Sequence, residues 1–217
     1  MDKNRVIKKV KNYLQKNFKG EATGHDWWHF LRVYEMAKKI AKKEGGDLFI
    51  IELAALLHDI ADWKFHGGST KIGSKKAELL LKEMGLNREV IKEVYHIVDN
   101  VSFKGAGVKN KIKTLEGKIV QDADRLDVIG AIGIARVFAY GGHEGREIYN
   151  PAVKSKMHKS FKDYKSNQSS SINHFYEKLL LLKNRLNTKT AKKIAGPRHK
   201  FLEKYLKQFF KEWEVKT

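Results

Sequence analysis

Apolar residues recur at intervals of three and four along most of the chain, and no convincing run alternates apolar and polar residues. A spacing of three and four places apolar side chains on one face of an α-helix, whereas strict alternation is typical of a strand. The first such stripe consists of Val6, Val10, Tyr13 and Leu14. The pattern therefore predicts an all-α fold.

Short polar side chains and glycines mark where several of these helices begin and end. Asp26 is a candidate N-cap for a helix that runs through Ala41 and stops at Gly45-Gly46. Asp47 begins a second helix that extends to about residue 61, and Asn87 begins another. The second helix is almost continuously apolar, which predicts burial on most of its sides.

The second half of the chain is predicted to contain further helices. Residues 115–139 form one long helix or two, because Gly130 and Gly133 interrupt the apolar pattern. The last third is predicted to form helices near 171–186, 188–195 and 198–213, with Pro197 between the last two.

Charge is distributed unevenly along the chain. Its 217 residues include 44 Lys and Arg against 25 Asp and Glu, a formal net charge of +19. Hydrophobic residues make up 41% of the chain and aromatic residues 11%, which argues against disorder. Residues 151–217 hold 17 basic and 5 acidic side chains and supply most of the excess charge. Such a segment attracts nucleic acid, nucleotides or phosphates, unless it is only a solvated lysine-rich surface.

The length of the chain predicts a single domain. We expect residues 1–150 to form its core and the basic residues 151–217 to pack on that core as additional helices, because no long flexible linker separates them. No segment approaches the roughly 18 consecutive apolar residues of a membrane span, and the first residues lack the apolar block of a signal peptide. A cytoplasmic protein with no membrane partner is therefore expected.

The dipeptide His58-Asp59 follows a run of apolar residues, 53–57. A carboxylate in such a setting needs a compensating cation, and a divalent metal ion would satisfy both side chains. A hydrogen-bonded pair inside the core is the alternative. Since the chain has no cysteine, a disulfide framework and a thiolate zinc site are both excluded, and any metal must bind to nitrogen and oxygen.

Two other segments carry similar chemistry. His25 and His29 are four residues apart, so they share a face if both are helical. Further along, Asp124 and Asp127 share a face, whereas Asp122 points elsewhere. A histidine on one helix, His-Asp on a second and an aspartate on a third make a nitrogen and oxygen set suited to a hard or borderline divalent cation.

This order of residues resembles the H…HD…D signature of the HD superfamily of metal-dependent phosphohydrolases, which is built on a helical bundle. Similarity to a small bacterial subgroup extends over GHDWWHFLRV, LAALLHDIAD and EGKIVQDADRLDVIGAIGIARVFAYGG, and continues into HFYEKLLLL and NTKTAKKIAGPRHKF. The resemblance implies one catalytic metal ion held by His29, His58, Asp59 and Asp124. Mn²⁺ is the favoured ion, with Mg²⁺, Co²⁺, Ni²⁺ or Fe²⁺ as alternatives, because this ligand set does not choose decisively among them.

Two of these ligands have alternatives in the sequence. His25 could replace His29, which is favoured because Arg32-Val33 follows it as in the family. Asp122 could replace Asp124, whose Ala-Asp-Arg-Leu context matches the last metal aspartate of related enzymes.

Some members of the subgroup hydrolyse nucleoside triphosphates to monophosphate and pyrophosphate, and the resemblance implies this reaction by attack of a metal-activated water. Related enzymes often have an acid at the position of Asp62 that orients or deprotonates the water, and Asp62 shares a helix face with His58 and Asp59. Pairing of Asp62 with Lys64 is the alternative role. Asp127 is expected to orient a metal ligand or to contact the sugar.

Phosphates need cationic or donor groups besides the metal ion. The predicted substrate-binding residues are His96, Lys104, Arg125, Arg146, Lys178 and Arg198. His96 could instead belong to the core, and Arg125 could pair with Asp122. The chain has neither a GxGxxG nor a GxxxxGK[ST] motif, so any nucleotide binding is expected to centre on the metal ion.

Two other functions fit the same residues. A phosphodiesterase or a nucleoside monophosphatase would use the same metal site. A nucleic-acid-binding module with a structural metal ion would explain the net charge of +19, although no recognisable nucleic-acid motif is present. The favoured partner is a small phosphorylated substrate, most simply a nucleotide.

Overall fold

Helices are the regular elements among residues 2–21, 23–61, 71–166 and 169–216, which are the residues that the computed structural model describes. The first part contains α1 (Lys3–Asn17), α2 (Trp27–Glu44), α3 (Leu48–Leu57), α4 (Ile72–Glu83), α5 (Arg88–Asn100), α6 (Leu115–Asp127) and α7 (Ala131–His143). The last third contains α8 (Phe161–Lys165), α9 (Ser171–His174), a π-helical turn (Phe175–Leu179), α10 (Leu180–Leu182), a 3₁₀ turn (Lys183–Arg185) and α11 (Lys189–Trp213). No strand occurs in these residues, and the predicted all-α fold is confirmed.

The predicted N-caps are confirmed by their hydrogen bonds. The carboxylate of Asp26 accepts from the backbone N–H of His29 at 2.8 Å, which fixes the first turn of α2. Asp47 caps α3 and Asn87 caps α5 in the same way. α2 ends at Gly45, as its sequence predicted. Each cap satisfies N–H groups that have no partner within their own helix.

Two helix boundaries differ from the sequence predictions, and for residues 115–139 the structure has the second of the two predicted alternatives. α3 ends at Leu57, several residues earlier than expected. The stretch 115–139 divides into α6 and α7 at Gly130, whose φ of 83° is unfavourable for any residue with a side chain. α11 continues through Pro197, so the prediction of two helices there was wrong. Burial of Ala195 and Leu202 on either side of the proline outweighs the missing hydrogen bond.

α3 is the central helix of the fold. α1, α2, α5 and α6 all contact it, and residues 53–57 are fully buried. Each leucine buried there stabilises the fold by about 1.5–3 kcal/mol. This packing brings together the C-terminal end of α3, the first turn of α2 and the C-terminal half of α6.

The basic last third packs on the same core. Phe175 and Leu202 belong to the buried cluster that also contains Phe30 of α2. α11 contacts α2, α6 and α7, and Glu44 accepts a hydrogen bond from the backbone N–H of Thr190 at 2.7 Å. Within the described residues, no helix has the length and apolar character that a membrane crossing requires.

Candidate metal centre

Two short segments bring His29, His58 and Asp59 together. His29 lies in the first turn of α2, and His58 and Asp59 directly follow α3. The Nε2 atoms of the two histidines are 3.0 Å apart. Oδ2 of Asp59 lies 3.4 Å from Nε2 of His29 and 3.5 Å from Nε2 of His58. The ligand atoms of all three residues therefore lie within 4.8 Å of one another, close enough to bind one metal ion.

Asp124 adds a second carboxylate from α6. Its Oδ1 lies 3.9 Å from Nε2 of His29 and 3.7 Å from Nε2 of His58. Each aspartate thus places an oxygen within 3.9 Å of the Nε2 atoms of both histidines, and the four residues that the sequence suggested as ligands lie together. Both histidines are buried, whereas the two aspartates are partly exposed.

The hydrogen bonds of the two imidazoles determine which nitrogen carries the proton. Nδ1 of His58 lies 2.8 Å from the carbonyl oxygen of Ala55, which can only accept, so Nδ1 is the donor. Nδ1 of His29 donates to Oδ2 of Asp127 at 2.8 Å by the same reasoning. Both Nε2 atoms are then unprotonated in the neutral rings, and their lone pairs repel each other at 3.0 Å. A cation between them removes this repulsion, so the donor set fits a divalent metal ion.

Asp127 accepts a hydrogen bond from Nδ1 of His29, the ring nitrogen that faces away from the cluster of ligand atoms. Arg32 donates to both oxygens of Asp127, from Nε at 2.7 Å and from Nη2 at 3.0 Å, and Arg136 donates from Nη1 at 3.0 Å. Burial raises the pKa of Asp127, but hydrogen bonds from His29 and Arg32 and the charge of Arg136 outweigh it, so the pKa lies well below its ordinary value.

The sequence did not single out Arg136, although a signal existed. It is the one Lys or Arg in the apolar helix α7. A lone cation in such a helix needs a buried anion, and Asp127 supplies it.

His25 lies beside the cluster but outside its compact part. Its Nε2 is 3.9 Å from Oδ2 of Asp59, and its Nδ1 is 3.3 Å from Oγ1 of Thr23. Burial raises the pKa of Asp59, but the neighbouring imidazoles of His58, His29 and His25 outweigh it, and the pKa is lowered. The compact group of possible ligands within the described residues consists of His29, His58 and Asp59, and neither His25 nor Asp124 belongs to it.

Asp122 is fully buried and serves the last third of the chain instead. Its two oxygens accept from the backbone N–H groups of Asn187 at 2.8 Å and of Thr188 at 2.7 Å, and from Oγ1 of Thr188 at 2.8 Å. These bonds hold the residues that begin α11. Asp122 is therefore committed to the fold, and it is Asp124, not Asp122, that lies near the Nε2 atoms of both histidines.

Two of the predicted substrate-binding arginines donate to backbone carbonyls. Nη1 of Arg125 donates to the carbonyl of Arg185, and Nη1 of Arg198 donates to the carbonyl of Leu126. Arg125 is buried, which lowers its pKa to about 10 although Asp122 opposes the shift. These contacts give both guanidinium groups a packing role between α6 and the last third.

Three other predicted substrate-binding residues are His96 on α5, Lys104 after α5 and Lys178 on the π-helical turn. Nζ of Lys104 donates to the carbonyl of Asp99 at 3.0 Å, close to the end of α5. Nζ of Lys178 lies 5.8 Å from the ring centroid of Phe103. His96 is partly exposed on α5. A substrate role for these three residues stays a prediction.

Arg146 lies next to Tyr140, which the sequence did not single out. The guanidinium carbon is 5.5 Å from the centroid of the tyrosine ring, and that ring is 6.1 Å from the ring of His25. Asp62, the predicted water-orienting acid, falls outside the described residues, so its role also stays a prediction.

Comparison with known proteins identifies similar chains. The model of the HD domain matches residues 27–129, the stretch that contains all four candidate ligands. The protein YpgQ of Bacillus subtilis is 36% identical over 204 residues, which cover 94% of this chain and 91% of YpgQ. A crystal structure of YpgQ in complex with ADP has a TM-score of 0.75, with 34% identity over 98% of this chain and 97% of that one.

Two other solved structures are also similar. A Lactobacillus plantarum protein has a TM-score of 0.89 and 34% identity, covering 99% of this chain and 100% of that one. A Bacillus thuringiensis protein described as an HD-superfamily hydrolase has a TM-score of 0.72 and 43% identity, covering 98% of this chain and 99% of that one.

Proposed function

The chain belongs to the HD-domain family of metal-dependent phosphohydrolases, and we propose that it cleaves nucleoside triphosphates to monophosphate and pyrophosphate. The observation that carries the proposal is the pair of Nε2 atoms of His29 and His58, 3.0 Å apart with both Nδ1 atoms bonded elsewhere. Two carboxylates beside that pair complete a ligand set for one divalent ion.

We favour Mn²⁺ as the bound ion. Mg²⁺, Co²⁺, Ni²⁺ and Fe²⁺ stay alternatives, because two imidazoles and two carboxylates do not discriminate strongly among ions that accept nitrogen and oxygen ligands. A bound divalent ion supplies Lewis acidity, which activates water and polarises a phosphoryl oxygen. The side chains do the rest. Asp127 fixes the ring of His29, and the carbonyl of Ala55 fixes the ring of His58, so both Nε2 lone pairs are held in place.

Proton transfer and phosphate binding are assigned to residues around these ligands. We propose that Asp62 positions the attacking water or accepts its proton, because related enzymes often have an acid at this position. His96 is proposed to donate a hydrogen bond to the triphosphate, and Lys104 and Lys178 are proposed to neutralise it. Positive groups beside the phosphates accelerate the reaction, because negative charge spreads over the phosphoryl oxygens during transfer.

Two observations support a nucleotide as the substrate. YpgQ, which is similar over nearly the whole length of this chain, has been crystallised with ADP. The net charge of +19 also favours an anionic ligand. A triphosphate makes use of both features, because it joins a nucleoside to a polyanionic chain.

The test is product analysis on a panel of nucleotides and phosphoesters with Mn²⁺ added to protein stripped of metal. We expect pyrophosphate and monophosphate in equal amounts from a triphosphate. Asp59→Asn should abolish release of pyrophosphate, whereas Asp163→Asn, which changes an exposed aspartate of α8, should match the parent. Orthophosphate from monophosphates, or cleavage of diesters alone, would replace this proposal with a phosphatase or phosphodiesterase. Salt-sensitive binding of RNA or DNA without any hydrolysis would replace it with a binding module.

A further inference from the structure

Two faces of helix α7 contact different parts of the molecule. Arg136 points to Asp127 behind the metal centre, and Tyr140 follows on the same face four residues later. Phe138 is two residues from Arg136, which turns it by about 200° to the other side of the helix. Phe138 and Gly142, again four residues apart, line a groove there. The Phe138 side of the groove and the metal centre thus lie on opposite sides of one helix, whereas Arg146 of the groove contacts the ring of Tyr140.

The groove lies among α7, the segment that follows it, and α11. Its volume is about 480 Å³, within the range of roughly 300–1,000 Å³ that small-molecule sites occupy. The residues that line it include Phe138, Gly142, Arg146, Ile148, Tyr205 and Phe209. None of these is a candidate metal ligand.

Aromatic side chains form one wall of the groove. Tyr205, Phe209 and Trp213 follow one another at four-residue intervals along a single face of α11. The rings of Phe209 and Trp213 stack with centroids 5.8 Å apart, and Tyr205 meets Phe138 with centroids 6.2 Å apart. A planar ring placed against such a wall gains stacking and edge contacts.

The groove is preformed by a close contact at Gly141. A Cβ atom at this position would lie 2.2 Å from Oγ of Ser171, so only glycine allows α9 to approach α7 this closely. Backbone N–H groups of Ser171 and Ile172 donate to the carbonyls of Glu147 and Ile148, each at 2.9 Å. These bonds fix the segment that carries Ile148 at the edge of the groove.

The described lining of the groove carries a positive charge. Arg146 is the residue that supplies it. An arginine beside an aromatic wall complements a ligand that joins a planar ring to a phosphate or carboxylate, because the guanidinium binds such groups through two parallel hydrogen bonds.

We propose that this groove binds a planar aromatic anion the size of a nucleoside monophosphate, on the side of α7 opposite the metal centre. The ring lies against Phe138, Tyr205 and Phe209, and the anionic group binds to Arg146. One arginine and a volume of about 480 Å³ fit a single such unit rather than a strand of several. Arg146 is thereby assigned to the groove and not to the metal-centred substrate, and the site requires no hydrolysis.

The experiment uses adenosine 5′-monophosphate as the probe, with the full chain in excess EDTA so that no metal ion takes part. Calorimetry and saturation-transfer NMR report binding, with inorganic phosphate and adenosine as half-probes. Arg146→Gln and Phe209→Leu should each weaken binding about tenfold, because the first removes the charged donors for the anionic group and the second removes an aromatic ring that stacks on the base. Lys207→Gln, a charge change on the exposed side of α11, should stay within about twofold of the parent.

Other outcomes would overturn the proposal. Arg146→Gln changes a partly exposed side chain and does not disturb the core. If this variant bound the probe as tightly as the parent, Arg146 would not be the group that binds the anion. Loss of binding in Asp59→Asn would move the probe to the metal centre. A twelve-residue oligothymidylate that displaces the probe with a steep salt dependence would make a nucleic-acid strand the occupant. Absence of binding at millimolar probe would leave the groove without the ligand proposed here.

Discussion

The metal centre and the aromatic groove are built by different forces on the two sides of α7. At the metal centre, polar atoms are held by hydrogen bonds and ion pairs of 2.7–3.0 Å that reach back through Asp127 to Arg32 and Arg136. At the groove, rings pack on rings at centroid distances of 5.8–6.2 Å. The first arrangement fixes direction and protonation, which chemistry requires, whereas the second fixes only shape, which is sufficient for binding.

The largest effect is expected from a substitution that disrupts the metal centre and leaves the groove intact. Asp59→Ala removes a carboxylate from between two imidazoles, so we expect loss of bound metal and at least a 100-fold fall in pyrophosphate release. Metal content by mass spectrometry and the activity assay measure this. Binding of adenosine monophosphate in EDTA should be unchanged, and a variant that keeps its metal would contradict the ligand assignment.

The next change tests how the last third is attached. Asp122→Ala leaves the backbone N–H groups of Asn187 and Thr188 without their carboxylate, and we expect a loss of about 3 kcal/mol in the free energy of unfolding. Urea denaturation followed by circular dichroism measures it. At temperatures where the variant is folded, metal binding should persist, because Asp122 does not face the imidazoles; loss of metal with unchanged stability would reverse the roles given to Asp122 and Asp124.

A smaller effect concerns the orientation of His29. Asp127→Asn keeps the size of the side chain but weakens its ion pairs with Arg32 and Arg136 and its hold on the His29 ring. We expect metal affinity to fall about 10- to 100-fold, as for other residues that support metal-bound histidines. Isothermal titration with Mn²⁺ measures this. Matched affinity in the variant and the parent would show that His29 does not need Asp127.

The smallest effect lies on α11, beyond the groove. Pro197→Ala restores a backbone N–H within a continuous helix, so we expect stability to rise by about 1 kcal/mol without any change in metal or ligand binding. Thermal unfolding measures it. A decrease in stability would mean that the proline is required for the way α11 packs on the core.

These two regions also differ in how far the sequence predicted them. The helix caps at Asp26, Asp47 and Asn87 and the family were predictable, because each depends on residues that are close together in the chain. The segments around His29, His58 and Asp124 carry their chemistry in short contiguous motifs. Binding of metal by these residues stays a prediction, although their atoms lie together.

What the sequence missed depends on distant partners. Asp122 contacts residues that lie 65 and 66 positions further along, so nothing near it indicated a structural role. The groove combines Phe138, Ile148 and Phe209 from separate segments, and no local pattern joins them. The continuity of α11 through Pro197 likewise depends on burial of the helix against the core.

Helix α6 carries three aspartates that serve three separate tasks within six residues. Asp122 anchors the start of α11, Asp124 adjoins the two imidazoles, and Asp127 orients one of them. Adding or deleting a single residue between Asp122 and Asp124 would rotate one carboxylate about 100° relative to the other. Either the docking of the tail or the assembly of the ion-binding cluster would then be lost, so this short stretch should tolerate substitutions far better than changes of length.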